Sequence, residues 1–325
     1  TGNGSTQSIT GVGFQPDFTW LKRRDASAGH KLTNSVRGTD YHLVANNSNA
    51  EYNESNILTA FGADGFSVGN SSDVNNNGNS YVSWSWKGGG SSSSNSDGDV
   101  TSTVSANQTA GFSIVSVSNL NSNSFGHGLG AEPELILGKR TDNTANWRVY
   151  YKGISSGNSL FLNTTAAPTS EGSAIASANA TTVTVTGSGN GGSAGTGTAV
   201  YYCFAPKKGF SKFGTYTGNG SADGAFVYTG FKPAFTIIKR TSGVDNWALH
   251  DNRRPGRNPN DARLASNLAD AEYGGSQGVD YLSNGFKARQ NDGEFNGAGE
   301  TYIFMAFAEE PLVANVGVSI PATAR

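Results

Sequence analysis

Cysteine is nearly absent from this chain. Cys203 stands alone among 325 residues, so no intrachain disulfide can form. A secreted protein of this size commonly carries disulfides, and their lack points to assembly in a reducing cytoplasm before release. Charge is scarce as well: 23 basic and 25 acidic residues give a net charge of −2, and no electrostatic case for nucleic-acid binding follows from that balance. Long apolar runs are missing. No stretch approaches the roughly 18 residues of a membrane helix, and no signal peptide is visible. Leu, Glu, Lys and Ala do not dominate as they would in a helical protein. What fills the chain is glycine (44 residues) with serine, threonine and asparagine, residues of turns and strand faces, while 10% aromatics supply the burial that short strands need. The composition is that of an all-β protein.

The order of these residues repeats. Gly13-Phe14-Gln15-Pro16-Asp17-Phe18-Thr19-Trp20-Leu21-Lys22-Arg23 returns as Gly230 to Arg240 and, more loosely, as Gly130 to Arg140. In each, proline ends a turn, an apolar run forms a buried strand and Lys-Arg marks its exit. Trp147 and Trp247 each follow their Lys-Arg by seven positions. Leu43 to Asn46, Leu160 to Asn163 and Leu264 to Asn267 come next, and Ala50-Glu51 matches Ala271-Glu272. An Xaa-Gly turn before a strand recurs at Asp64-Gly65-Phe66 and Asn284-Gly285-Phe286. The closing strands end at Trp86, Phe204 and Phe307, which lie 70, 71 and 74 positions after Pro16, Pro133 and Pro233. Such spacing predicts three tandem antiparallel β-sandwich, jelly-roll-like repeat domains.

The predicted division is 1–88 for the first repeat, 89–99 for a Gly/Ser-rich linker, 100–206 and 207–310 for the second and third repeats, and 311–325 for a tail. The linker composition predicts a loosely tethered first repeat, with repeats two and three moving together. Thr217-Gly218-Asn219-Gly220-Ser221 equals Thr1 to Ser5, and in the third repeat a strand at Phe213 to Tyr216 precedes it. The first repeat therefore lacks its first strand, so an upstream segment is expected to be missing, and the open edge either borrows a strand from elsewhere or stays unprotected. The tail, with alternating Val and small residues, is expected to lie as an edge strand or against a partner chain. One helical turn is conceivable at Asn267 to Glu272.

The combination of Thr-Gly-Asn-Gly, Gly-Phe-Xaa-Pro-Xaa-Phe with Lys-Arg, Asn-Gly-Phe and Tyr302-Ile303-Phe304-Met305-Ala306-Phe307 resembles tandem repeats in virion proteins of marine bacteriophages, described as tail-fibre-like or structural. The likeness covers nearly the whole chain, including the Pro321 to Arg325 ending. The second repeat departs most, with Gly-Ala-Glu-Pro at its proline and no clear Asn-Gly-Phe between Ser170 and Thr198. The resemblance implies a virion location and a part in host contact or capsid decoration, and it brings no catalytic residues.

Chemistry-bearing patterns are thin. His30, His42, His127 and His250 have no metal-ligand spacing, and one cysteine cannot build a zinc site. His30 and His250 stand near equivalent positions of the first and third repeats. Asp251, Asp261, Asp270 and Glu272 are candidates by residue type for paired-carboxylate hydrolysis of sugars, but Glu272 has a counterpart in Glu51, as a structural position would. Asp73 to Asn79 and Asn95 to Asp99 offer hard oxygen ligands without the closing acid of a calcium loop. Arg253, Arg254 and Arg257, flanked by Asp251 and Asp261, are expected in a solvated loop. Trp147, Tyr150, Trp247, His250 and Tyr273 are the candidate ligand-binding residues, because rings beside amides and charges suit a sugar, although Trp147 and Trp247 also read as core.

The expected function is that of a non-enzymatic virion protein, a tail-fibre or spike subunit attaching to a host-surface glycan or protein. It would be assembled in the host cytoplasm, act outside the cell and need no cofactor or metal. Expected partners are other virion proteins and further copies of the chain, trimers being common in fibres. A capsid decoration or head-fibre protein is the alternative, and a polysaccharide-degrading enzyme the second.

Overall fold

The computed structural model describes all residues except 120, 122, 156, 171–173, 187–196, 276–277, 309–321 and 325. Period-two alternation and turn residues place the strands. In the first segment these are β1 (Gln7–Thr10), β2 (Phe18–Arg23), β3 (Lys31–Asn34), β4 (Gly38–Val44), β5 (Tyr52–Asn53), β6 (Leu58–Gly62), β7 (Gly65–Val68) and β8 (Tyr81–Trp86), with one helical turn, α1 (Ser72–Asn75). The second holds β9 (Ser93–Asn95), β10 (Ser102–Asn107), β11 (Phe112–Ser118), β12 (Ser124–Gly126), β13 (Leu135–Arg140), β14 (Arg148–Tyr151), β15 (Asn158–Phe161), β16 (Thr169–Ser170), β17 (Ala174–Ala178), β18 (Thr182–Thr186) and β19 (Thr198–Phe204). The third holds β20 (Ser211–Thr217), β21 (Phe226–Tyr228), β22 (Pro233–Arg240), β23 (Trp247–Asp251), β24 (Leu264–Ala265), β25 (Val279–Leu282), β26 (Gly285–Ala288) and β27 (Thr301–Ala308), and β28 (Ala322–Ala324) follows. The helical turn lies at Ser72–Asn75 and not at Asn267 to Glu272, where Leu268 closes a turn onto Ala265 and the chain then runs irregularly.

Three large antiparallel sheets share one order. They read β28-β8-β2-β3-β4, β11-β19-β13-β14-β15 and β20-β27-β22-β23-β24, and in the second β10 and β9 continue beyond β11. Registers agree as well: Phe18 faces Trp86, Leu135 faces Phe204 and Phe235 faces Phe307. A three-stranded sheet accompanies each, β1-β7-β6, β12-β18-β17 and β21-β26-β25. Within each large sheet the strands from β2, β13 and β22 onward run as a meander, where a jelly roll would pass them between two sheets.

Alternation gives each large sheet two apolar faces. In the second segment the outer face (Ile136, Tyr201, Cys203) packs on Phe125, Ile175, Val183 and Val185 of the small sheet. The inner faces of all three sheets meet in one core, which holds Phe18 and Trp86, Phe112 and Phe204, and Phe235 and Phe307 together. At its centre the rings of Trp86, Phe204 and Phe307, the last aromatics of the three closing strands, lie 6.4, 5.8 and 6.0 Å apart, each touching the other two. Each ring so buried is worth roughly 1.5–3 kcal/mol. The three sheets therefore enclose a shared centre in an approximate threefold arrangement.

This shared core corrects the loose tether expected for the first segment. Within 89–99, β9 pairs with β10, and the Gly89 amide donates to Ser105 Oγ at 2.9 Å. The open edge of the first sheet is paired too. β28 lies antiparallel to β8 with Ala322 opposite Trp86, the same place that Phe112 takes opposite Phe204 and Ser211 opposite Phe307. β28 thus takes in the first sheet the seat that β11 and β20 take in the other two, as a strand borrowed from the tail.

Candidate functional site

The recurrent residues of the sequence prove to be joints between segments. The indole Nε1 of Trp147 donates to Val44 O, and that of Trp247 donates to Phe161 O, both at 2.9 Å. Val44, Phe161 and Ala265 occupy matching places in the three segments. His30 takes the indole's position in the first, because its amide donates to Asn46 Oδ1 as those of Trp147 and Trp247 donate to Asn163 and Asn267 Oδ1. His30 is thus the counterpart of Trp247, whereas His250 pairs with Thr236 as Thr33 pairs with Thr19. The supposed equivalence of His30 and His250 fails on register. Trp20 Nε1 donates to His30 Nδ1 at 2.9 Å, and burial pushes this histidine's pKa down to about 3.

Three buried lysines sit beside these joints. Lys22, Lys139 and Lys239 each donate to the carbonyl of the following arginine at 2.6–2.7 Å. Lys22 also reaches Ala269 O, and Lys239 reaches Thr165 O, each at 3.2 Å and each in another segment. Burial lowers all three pKa values to about 8. Backbone bonds complete the circuit: Glu51 N to Thr141 O (2.9 Å), Asp245 N to Thr165 O (2.9 Å) and Glu272 N to Arg24 O (2.7 Å). Each segment is clasped to the next and the circuit closes.

The carboxylates considered for sugar hydrolysis are held in place. Asp251, fully buried, pairs with Arg254 Nε at 2.5 Å and accepts from Trp84 Nε1 at 3.1 Å. Arg254 and Arg24 both hold Glu272, at 2.9 and 2.8 Å. Burial opposes ionisation of Glu272, but the hydrogen bonds and charges of the two arginines outweigh it and hold its pKa below the ordinary value. Asp261 meets Arg257 at 3.3 Å, and Asp270 accepts from the Tyr273 hydroxyl. Arg254 is therefore a buried bridge in the basic cluster expected to be solvated, while Arg253 and Arg257 are exposed. Of the calcium-type loops, Asp73 pairs with Lys31 at 2.6 Å and Asp99 accepts from Ser124 Oγ at 2.7 Å. Among the described residues no group of three or more His, Cys, Asp or Glu could hold a metal ion.

The five proposed ligand-binding residues are not brought together. Trp147 and Trp247 are buried joints with no ring face open to a sugar. His250 is fully buried, edge-on to Phe295 at 5.7 Å, with its pKa well below the ordinary value through burial. Tyr150 is half-buried, packed on the second segment's outer core. Tyr273 is exposed, with the Arg263 guanidinium over its ring at 4.9 Å.

Residues that the sequence reading passed over have clear roles. Asn75 and Asn296, both buried, hold the two Thr-Gly-Asn-Gly motifs through matched bonds. Asn3 and Asn219 amides donate to their Oδ1 atoms (2.9 and 3.1 Å), and their Nδ2 atoms reach back to Asn3 and Asn219 Oδ1 (3.2 and 3.1 Å). The signal was an asparagine six positions before the closing-strand tyrosine, Asn75 before Tyr81 and Asn296 before Tyr302.

The third segment also carries what the others lack. Arg240 to Leu264 spans 24 positions, whereas Arg23 to Leu43 and Arg140 to Leu160 span 20. The extra length lies in the loop after β23. That loop forms an open recess of about 370 Å3 lined by Lys232, Asn252, Arg253, Gly256, Arg257, Asn258, Asn260 and Tyr281. Tyr281 belongs to β25, at one edge of the small sheet, and β21 at the other edge turns Phe226 and Tyr228 outward, 47% and 59% exposed. Lys212 Nζ stands 5.1 Å from the Tyr228 ring centre and donates to Tyr228 O.

Comparison with known proteins places the chain in a family and goes no further. It belongs to the family described as Domain of unknown function (DUF7483), whose model matches residues 1–311. No curated protein and no solved structure matches it.

Proposed function

We propose that this chain is a non-enzymatic structural and attachment protein of a bacteriophage particle, a tail-fibre or spike component built from three tandem sandwich repeats that meets host-surface glycans through its third repeat. The virion assignment rests on the sequence resemblance. The attachment assignment rests on one observation: Phe226 and Tyr228 alternate outward on β21, exposed, in the same small sheet that borders the polar recess. Exposed rings give a sugar's apolar face a platform, and neighbouring amides and charges bond its hydroxyls. The carboxylates that hydrolysis would need are occupied by arginines or a tyrosine. Single contacts of this kind are weak, and several copies on one particle supply the avidity.

The threefold arrangement favours a second reading, decoration of a threefold position on a capsid. A panel of immobilised glycans probed with the purified chain, with Phe226→Ala/Tyr228→Ala in parallel, tests attachment. Binding that the double variant loses supports it, and no binding to any glycan, with the chain found on capsids by immunogold labelling, favours decoration. Turnover of a soluble polysaccharide, seen as falling viscosity, would replace both with an enzyme.

A further inference from the structure

We infer that the recess after β23 is a binding site for an acidic saccharide unit, one that carries a carboxylate or sulfate beside free hydroxyls; this rests on the attachment reading and names its ligand class. Two features of the lining select such a ligand. The rim is cationic, with exposed Lys232 and Arg253 beside exposed Arg257, whose guanidinium also meets Asp261 at 3.3 Å. An arginine fork matches the paired oxygens of a carboxylate or sulfate.

The floor is a set of amides. Asn260, 1% exposed, gives its Nδ2 to Asp251 O and has no partner on Oδ1, and Asn252 Oδ1 is likewise buried without a partner. A buried acceptor left unpaired is costly, and a sugar hydroxyl admitted by a small shift of the exposed loop after β23 would donate to it where a bare inorganic sulfate cannot. Asn258 is fixed for the purpose: it donates to Tyr281 O and accepts from the Tyr281 amide, both at 3.0 Å. Two of the Asp251 contacts pin the loop, whose Arg253 and Arg254 amides both donate to Asp251 Oδ1 at 3.0 Å. The recess volume, about 370 Å3, falls within the usual range of ligand pockets, roughly 300–1,000 Å3.

The test is binding of the full chain to polygalacturonate, dextran sulfate and neutral dextran by biolayer interferometry, with Arg253→Ala/Arg257→Ala and Asn252→Asp as variants. Both arginines are exposed, so the fold should stand, as thermal melting would verify. The site predicts salt-sensitive binding to at least one acidic polymer, about a hundredfold weaker in Arg253→Ala/Arg257→Ala and lost in Asn252→Asp, which sets a carboxylate in the recess. Preference between the first two polymers tells carboxylate from sulfate. Inorganic sulfate that competes as well as the polymer would reduce the site to a simple anion cradle and overturn the saccharide. Binding to acidic polymers that ignores all three substitutions overturns the site. Binding to neutral glycans alone, lost in Phe226→Ala/Tyr228→Ala, overturns the acidic ligand and keeps the attachment reading, and binding to none of them removes both.

Discussion

Truncating Phe307 to alanine should destabilise the first and second segments as much as the third. Phe307 is 3% exposed and packs against Trp86, Phe204, Phe210, Phe213 and Phe235, rings from all three segments. Removing a fully buried phenylalanine ring costs about 3–5 kcal/mol, transfer and cavity together. Unfolding entropy of roughly 2.1 cal/mol/K per residue over 325 residues converts that cost to a fall in Tm of about 4–7 °C if the chain melts as one unit. Fluorescence distinguishes the cases, because Trp20, Trp84 and Trp86 lie in the first segment, Trp147 in the second and Trp247 in the third. Calorimetry and tryptophan emission should show a single transition, displaced equally by both probes. If the calorimetric peak splits, or the tryptophan midpoint stays put while a minor part of the heat moves down, the shared core does not couple the segments and the reasoning is wrong.

Other consequences are equally direct. Lys22, Lys139 and Lys239 have folded-state pKa values near 8 against an unfolded value near 10.5, so the unfolded chain holds more protons between those limits; denaturation midpoints in urea should rise from pH 8 to 10.5, and the Lys239→Met variant should show a shallower rise. His30 and His42, pushed down to about 3 and about 4 mainly by burial, act at the other end: their contribution is intact above pH 6.5 and drains away as pH falls below it, which acid titration of stability would show. Arg254→Ala leaves buried Asp251 without its cation and should cost about 3–5 kcal/mol by urea unfolding, whereas exposed Arg253→Ala should cost under about 0.5 kcal/mol. A Cβ at Gly65 would stand 1.9 Å from Ile9 O with φ at 148°, so Gly65→Ala should cost at least about 1–3 kcal/mol and Gly285→Ala, 2.1 Å from Val227 O, a comparable amount.

Much of the fold is legible in the sequence because continuous apolar runs and turn glycines act locally. The proline-to-aromatic spacing located the central and closing strands, and the Xaa-Gly turns located β7 and β26. The closure of three sheets about one core is not written there. Trp147 and Trp247 look alike whether they pack within a segment or reach into the next, since their acceptors, Val44 O and Phe161 O, are backbone atoms that leave no side-chain signature. The tail could be read as an edge strand, but nothing in Ala322 to Ala324 names β8 as its partner. The recess had a signal in the four-residue excess before Leu264, and the basic cluster within it was noticed, but burial of Arg254 and exposure of its two neighbours follow from Asp251 and Glu272, which lie on different strands and loops. The exposed rings of Phe226 and Tyr228 follow from alternation around buried Val227, a signal the sequence reading passed over.

Closure of the first sheet by β28 gives the three large sheets their common order, and a disulfide trap tests it most directly. Ser85 and Thr323 are facing partners in the β8–β28 pair, and facing residues of antiparallel strands lie about 4.5–5.5 Å apart at Cα, within disulfide reach. Native Cys203 is fully buried and does not compete. In the double variant Ser85→Cys/Thr323→Cys, mild oxidation should give one intramolecular bond in nearly every chain, seen as faster migration of the denatured monomer and as a linked peptide by mass spectrometry. Thiols that stay free, or bonds that form only between chains, would contradict the closed arrangement.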